Sequence, residues 1–343
     1  MVNKREVLAN VLDKTGCNRI LQRVGGWNGL LVLNYHRIGQ PEDSLFDRPL
    51  WSATVEAFEE QIRYLSLNFD IVTISDMSHV LKSKSGRHLM VTFDDGYLDN
   101  YEFAYPILKS HGCPATFFLT SGFLDRTATA WWDEIAWMVC SSKKSKIEAD
   151  AWHDYVLTFD EPDRNLVIHH LISVYKSLPA DQTEDFLNGL ADSTGSGRCP
   201  TEILGNEWMS WDMVREMDGA GMSIGGHTVS HPILSTLDAE TLEFEIGHCK
   251  QRIEQELGSP ISAFSYPVGS RTAFNDETKA CLKRHGIQHA FSYYGGFQSS
   301  GETDLFDLPR VAIETDVSMS RFRTVTALPQ WYSQKYQSSE AIL

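Results

Sequence analysis

The chain of 343 residues is short of three things. It has no C-x-x-C pair: Cys17, Cys113, Cys140, Cys199, Cys249 and Cys281 stand far apart. That spacing suits neither a zinc knuckle nor a small disulfide framework, so the cysteines read as reduced thiols. It is short of positive charge, with 30 Lys+Arg against 46 Asp+Glu and a formal net charge of -16. Such a surface repels a phosphate backbone and lacks the attraction on which nucleic-acid binding depends, so no nucleic-acid partner is expected. Finally, no apolar run approaches the roughly 20 residues that span a bilayer, and the N-terminus MVNKREVLANVLDKTGCNRI is charged throughout, without an apolar leader core. The expectation is a cytoplasmic protein with no transmembrane segment. Its length suits one barrel-sized domain with an insertion, or two smaller domains, and no repeat or low-complexity tract divides it.

What the chain does have is LMVTFDDGYLDN, Leu89 to Asn100. An apolar run feeding two carboxylates, Asp94 and Asp95, and then Gly96 reads as a buried parallel strand that ends in a site. Adjacent strand residues point to opposite faces, so both aspartates serve one site only where the strand ends and Gly96 lets the backbone turn. Taken alone, DDG is more often merely a turn or a helix cap, since Asp and Gly are the commonest turn formers.

Around it, strands and helices alternate. The pattern predicts strands at 30–35, 70–74, 115–120, 222–224, 261–266, 288–293 and 308–313. Helices are predicted at 54–67, from 75, and at 97–111, 210–220, 239–257 and 276–285. Seven or eight βα units argue for a parallel (β/α) barrel, whose ligands sit at the carboxyl ends of its strands. Residues 1–28 read as an N-terminal helical segment with Val7, Leu8, Val11 and Leu12 on one face. Residues 29–320 read as the barrel, 321–343 as a C-terminal tail. Between 121 and 208 the alternation lapses into helical stretches, which marks a mainly helical insertion.

His227 and His231 follow a glycine pair that ends a strand. Residues four apart share a face if the chain between them makes about one helical turn, and Pro232 fits the start of a helix at a strand-to-helix junction. Thr228 stands where a metalloprotease helix would need glutamate. Two imidazoles and one carboxylate make a three-ligand zinc-type centre with a position left open for water, and the second carboxylate is then free to accept a proton.

TFDDG at 92–96, HTVSH at 227–231 and FSYPVG at 264–269 together resemble the polysaccharide deacetylases of the NodB-homology type, carbohydrate esterase family 4. The resemblance implies a distorted (β/α)7–8 barrel and a hydrolase that removes the acetyl group from an N-acetylated sugar, with ion-activated water as nucleophile. It implies Asp95, His227 and His231 as ligands of a divalent ion, Zn2+ first with Co2+ or Ni2+ also suitable, and Asp94 as general base. The family's third motif, commonly R-P-P-Y-G, is here Ser265 to Gly269, so its arginine is missing; Arg310 on the last strand is a candidate to supply the guanidinium. Val268 keeps the backbone N–H that would serve the oxyanion, and Tyr266 and Pro267 are neighbouring substrate-site candidates. NYHRI, with His36, resembles the circularly permuted exopolysaccharide (poly-N-acetylglucosamine) deacetylases, in which a strand-end histidine before the DDG motif is the general acid. Trp132, with Asp133, is a sugar-binding candidate in a tryptophan-rich region that otherwise reads as core. Rival readings are an amidase or imidase acting on a small non-sugar amide, and an inactive carbohydrate-binding protein. Oligomeric state is open.

Overall fold

The computed structural model describes residues 4–330 apart from 19, 21–26, 43, 84, 149–150, 153–154, 160–163, 300 and 302. Residues 331–343 of the expected tail lie outside them. A nine-stranded sheet curls around the core. Eight of its nine strands are parallel, and seven of these run in chain order: β1 (Gly29–Tyr35), β2 (Arg87–Phe93), β3 (Thr116–Leu119), β4 (Ser223–Gly226), β5 (Ala263–Ser265), β6 (His289–Phe291) and β7 (Val311–Ala312). Their spatial order is β6-β5-β4-β3-β2-β1, with β7 also pairing β1. A parallel bridge from Phe291 to Leu308 joins β6 to the chain entering β7, which brings the two ends of the sheet together as a distorted barrel. The short strand Asp70–Ile71 lies beside β2, and Gln298–Ser299 runs antiparallel on β1.

The strands are apolar on both faces, as parallel strands covered by helices must be. Gly225 shows how closely they pack: a Cβ there would meet the Phe118 ring at 2.5 Å. Register then determines what meets at the top. β1 and β2 pair residue for residue from Gly29↔Arg87 to Tyr35↔Phe93, so both strands end level and His36 emerges beside Asp94, whose N–H donates to the Tyr35 carbonyl at 3.1 Å. Leu119 pairs with Gly226 and accepts from the His227 N–H at 2.9 Å, bringing the HTVSH segment to the same rim.

Several expectations are corrected. Val7, Leu8 and Val11 are exposed; helix Lys4–Lys14 buries Ala9 instead and packs on helix Met319–Ala327 through Arg323–Asp13 at 2.9 Å. That second helix crosses the expected start of the tail at 321 and buries Phe322 and Val325 in the main core, so chain beyond 320 is part of the fold. The helix after the DDG motif is a π-turn, Asn100–Ala104, leading into Tyr105–Ser110. The wider turn accompanies a local demand, since Asn100 Nδ2 donates to the His36 carbonyl at 2.7 Å.

Between 121 and 208 the chain forms helices Ser121–Leu124, Trp131–Ser141, Arg164–Ser177, Thr183–Thr194 and Thr201–Gly205. Its far end returns onto the chain after the DDG motif: Leu98 N–H donates to Glu207 at 2.7 Å and Met209 N–H to Gly96 at 3.0 Å.

Candidate active site

Asp94 directly follows β2 and Asp95 turns the chain. Asp95 itself takes φ 76, one residue earlier than Gly96 (φ 95), and this puts both carboxylates at one site. Five described non-glycine residues have positive φ, and four of them belong here: Asp95, Thr228, His231 and Val268. For the β-branched Thr228 and Val268 this is an unfavourable conformation, costing on the order of 1–3 kcal/mol each, and such strain gathers where function over-determines the backbone.

The His227–His231 pair does not converge through a helical turn. The segment is a loop, and the next long helix begins only at Ala239. The left-handed residues Thr228 and His231 fold the loop back on itself, and Thr228 Oγ1 accepts from the His231 N–H at 2.9 Å. Pro232 is therefore not at a helix start. Glu245, buried on helix Ala239–Leu257, grips the loop by accepting the N–H groups of Val229 and Ser230 at 2.8 and 2.9 Å. The sequence reading missed Glu245, although a carboxylate between the buried Leu242, Ile246 and Cys249 on one helix stripe was a legible signal.

Asp95, His227 and His231 are all buried, and their donor atoms lie within 4.8 Å of one another. His227 Nδ1 is tied to the Ser265 carbonyl at 2.7 Å, so Nε2 is the nitrogen that faces Asp95 Oδ1, at 3.4 Å; His231 Nε2 is 3.6 Å from the same oxygen. That oxygen is buried and accepts no hydrogen bond among the described residues. An orphaned carboxylate oxygen facing two imidazole nitrogens fits a divalent cation, because burial without a partner is otherwise costly. Burial, reinforced by His227, pushes His231 down to about 3, which keeps its ring neutral and its lone pair available. Burial also acts to lower His227, but Asp94 and Asp95 outweigh it and raise the net value. A second triplet, Glu243, Cys281 and His285, also converges. Its Glu243 already pairs with Arg284 and with His285 Nε2 at 2.7 Å, as a contact between helices would.

Arg310, fully buried, supplies the guanidinium that the third motif lacks. It meets Asp94 with two parallel bonds, NH1 to Oδ1 and NH2 to Oδ2, both 2.7 Å. Its remaining N–H groups go to Asn34 Oδ1, to Ser265 Oγ at 2.8 Å and to the Ser292 carbonyl at 3.0 Å, so all five donors are used. Ser265 stands where the motif arginine would be and also donates to Asp94 Oδ2 at 3.2 Å. Burial acts to raise the Asp94 pKa, but Arg310 and His227 outweigh it and hold the carboxyl well below its ordinary range.

These groups line a cavity of about 220 Å³. His36 lines it with its ring edge-on to Tyr293 at 5.4 Å; burial lowers its pKa, with Asp95 and Asp94 opposing. Val268 also lines it, and its N–H is engaged by no described backbone or side-chain acceptor. Tyr266 borders the cavity, but its hydroxyl donates to the Phe306 carbonyl at 2.8 Å and its ring stacks on Phe274 at 3.9 Å, so the side chain is a core element. Pro267 is buried. Trp132 lies edge-on to His231 at 4.4 Å, with Nε1 donating to the Tyr97 hydroxyl at 2.8 Å, and Trp131 Nε1 donates to the His231 carbonyl at 3.2 Å. Both tryptophans thus brace a candidate ligand as well as forming a wall. Asp133 lies behind them, fully buried.

Fold and site together place the chain among the barrel hydrolases. Residues 82–290 match the polysaccharide deacetylase family, and the chain belongs to it. It is 24% identical over 297 residues to the putative polysaccharide deacetylase YxkH of Bacillus subtilis, a match covering 85% of this chain and 74% of that protein. It is 32% identical over 107 residues to the poly-beta-1,6-N-acetyl-D-glucosamine N-deacetylase of Staphylococcus aureus, covering 28% of this chain and 37% of that one. Similar folds are seen in the Streptococcus pyogenes deacetylase PplD in complex with acetate (TM-score 0.57, 17% identity, 87% of this chain and 97% of that one) and in IcaB from Ammonifex degensii (TM-score 0.51, 19% identity, 88% and 97%). The protein is a deacetylase hydrolase. Among the described residues, no helix is long and apolar enough to cross a membrane.

Proposed function

We propose that this chain cleaves the acetamide of an N-acetylated sugar, releasing acetate and leaving a free amine, with Asp95, His227 and His231 holding a divalent ion. The observation that carries the reading is the contrast between neighbouring carboxylates: Asp94 is locked and kept ionised by Arg310, whereas Asp95 presents an unpartnered oxygen to two imidazole nitrogens. When bound, the ion supplies Lewis-acid polarisation of the acetamide oxygen and acidifies water. Asp94 accepts the proton of the attacking water, and Arg310 orients it for that task. The Val268 N–H donates to the oxygen that gains negative charge. His36 protonates the departing nitrogen, and residues 121–208 form an insertion that walls the cavity. The resemblance to the poly-beta-1,6-N-acetyl-D-glucosamine deacetylases supports the sugar class.

A screen for acetate release, run with added zinc, cobalt or nickel on soluble, polymeric, lipid-linked and nucleotide-linked N-acetyl sugars, tests the proposal. Release from at least one of them is expected. A metal-loaded protein active only on small imides would favour the amidase reading, and no release with no metal bound would favour a binding protein.

His36 can be tested separately. An amine is a poor leaving group until protonated, so His36→Ala is expected to fold, bind metal and lose roughly 10² or more in kcat on an amide. An activated ester, whose leaving group needs little protonation, should be hydrolysed almost normally. An ester rate that falls as far as the amide rate would remove His36 from that role.

A further inference from the structure

Beyond the reacting groups, the cavity carries two side chains of opposite charge that are not paired with each other. Asp47 comes from the loop after β1, and Lys176 from the last turn of helix Arg164–Ser177; both line the cavity. No ion pair within 4.0 Å joins them, and neither charged group makes a hydrogen bond among the described residues. Asp47 occupies the N-cap position of the 3-10 turn Arg48–Leu50, where aspartate commonly bonds the turn's own N–H groups, yet its carboxylate makes no such bond.

Asp47 is nevertheless firmly placed. Its N–H donates to Asp133 Oδ1 at 2.9 Å, and Asp133 Oδ2 accepts from the Tyr97 hydroxyl at 2.8 Å. Tyr97 in turn accepts from Trp132 Nε1. A fully buried carboxylate is costly unless it is hydrogen-bonded, and the bonds of Asp133 tie the Asp47 loop to the chain just after the DDG motif. Burial pushes the Asp47 carboxyl up to about 6, with the charge of Lys176 opposing from across the cavity.

We propose that Asp47 and Lys176 form the specificity pair of this cavity, the carboxylate accepting from and the ammonium donating to hydroxyls of an uncharged sugar, with Asp133 as the positioning residue. A sugar hydroxyl both donates and accepts, so it satisfies the two charges at once. A diphosphate-linked sugar would satisfy Lys176 alone while facing Asp47 and Glu314, which also lines the cavity, and Arg310 has no donor left to offer it. An already deacetylated, cationic sugar would meet Lys176. The pair therefore selects a neutral N-acetylated glycan. This inference rests on the deacetylase reading above and narrows its substrate.

The test compares wild type with Asp47→Ala, Lys176→Met, Asp133→Ala and the conservative Asp133→Asn, using a neutral N-acetylglucosamine oligomer and a nucleotide-diphosphate-linked N-acetylglucosamine as probes. On the oligomer, Asp47→Ala and Lys176→Met should each raise KM by roughly tenfold to a hundredfold, the usual cost of a lost hydrogen bond to a charged group, while kcat moves less than threefold and bound metal is unchanged. Asp133→Ala should give the same KM signature and add little to Asp47→Ala in the double variant, whereas Asp133→Asn, which keeps an acceptor for the Asp47 N–H, should stay near wild type. Wild type should favour the oligomer over the nucleotide sugar at least tenfold in kcat/KM. An unchanged KM in both single variants, or a preference for the nucleotide sugar, would overturn the specificity pair and leave the deacetylase reading standing. Release of acetate from neither probe nor any other N-acetyl sugar would overturn both.

Discussion

An Asp94→Asn variant is expected to bind its divalent ion normally and to lose a factor of about 10² to 10⁴ in kcat, the range ascribed to a positioned general base. Asparagine keeps an oxygen for Arg310 but carries no charge and cannot take a proton. Because Arg310 is fully buried and spends two of its five N–H groups on Asp94, the variant should also melt earlier, by an amount within the roughly 3–5 kcal/mol range for breaking a buried pair. Its Asn34, Ser265 and Ser292 contacts remain to hold the arginine in place. Arg310→Met gives a complementary result. The guanidinium keeps Asp94 ionised far below neutrality, so its removal raises the Asp94 pKa, and the acid side of the rate profile should move toward neutral pH. If Asp94→Asn instead sheds the metal, the roles of Asp94 and Asp95 must be exchanged.

Asp95→Ala and His227→Ala are expected to lose the metal together with activity, down to background. The effect should exceed that of any other substitution at the site, since each removes one of three protein ligands. Thermal melting offers a readout independent of turnover. An ion that binds only the native state stabilises it by about 2.7 kcal/mol at a hundredfold excess over Kd, so zinc should raise the Tm of wild type and leave that of either variant unmoved. Stoichiometric metal and a normal zinc shift in Asp95→Ala would remove the site assignment, because the unpartnered Asp95 oxygen would then have no cation to explain it.

How much of this was legible in sequence depended on chain separation. Asp94 and Asp95 at the end of an apolar run, His227 and His231 after Gly225-Gly226, and His36 after LLVLNY each lie within a few residues of the strand that presents them. Strand-end position is a local property, readable from apolar patterning, and parallel strands bring all such ends to one rim. Local pattern misled where tertiary contacts overrode it. Val7, Leu8 and Val11 make an apolar stripe that the fold leaves exposed, and the histidine pair converges through left-handed loop residues, not through helix periodicity.

The sequence by itself thus determined the barrel class, the strand ends that carry the candidate reacting groups and the identity of the candidate ligands. Only the tertiary structure decided how those groups are held. Arg310 reaches Asp94 across 216 residues because the chain at 308–312 pairs with both β6 and β1, and Glu245 grips the 227–231 loop from 15 and 16 residues beyond the two N–H groups it accepts. Asp133 pins Asp47 from 86 residues away. Such partners follow from sheet register and helix packing, which bring distant residues together through the whole molecule's burial of apolar surface, and no short stretch of sequence carries that information.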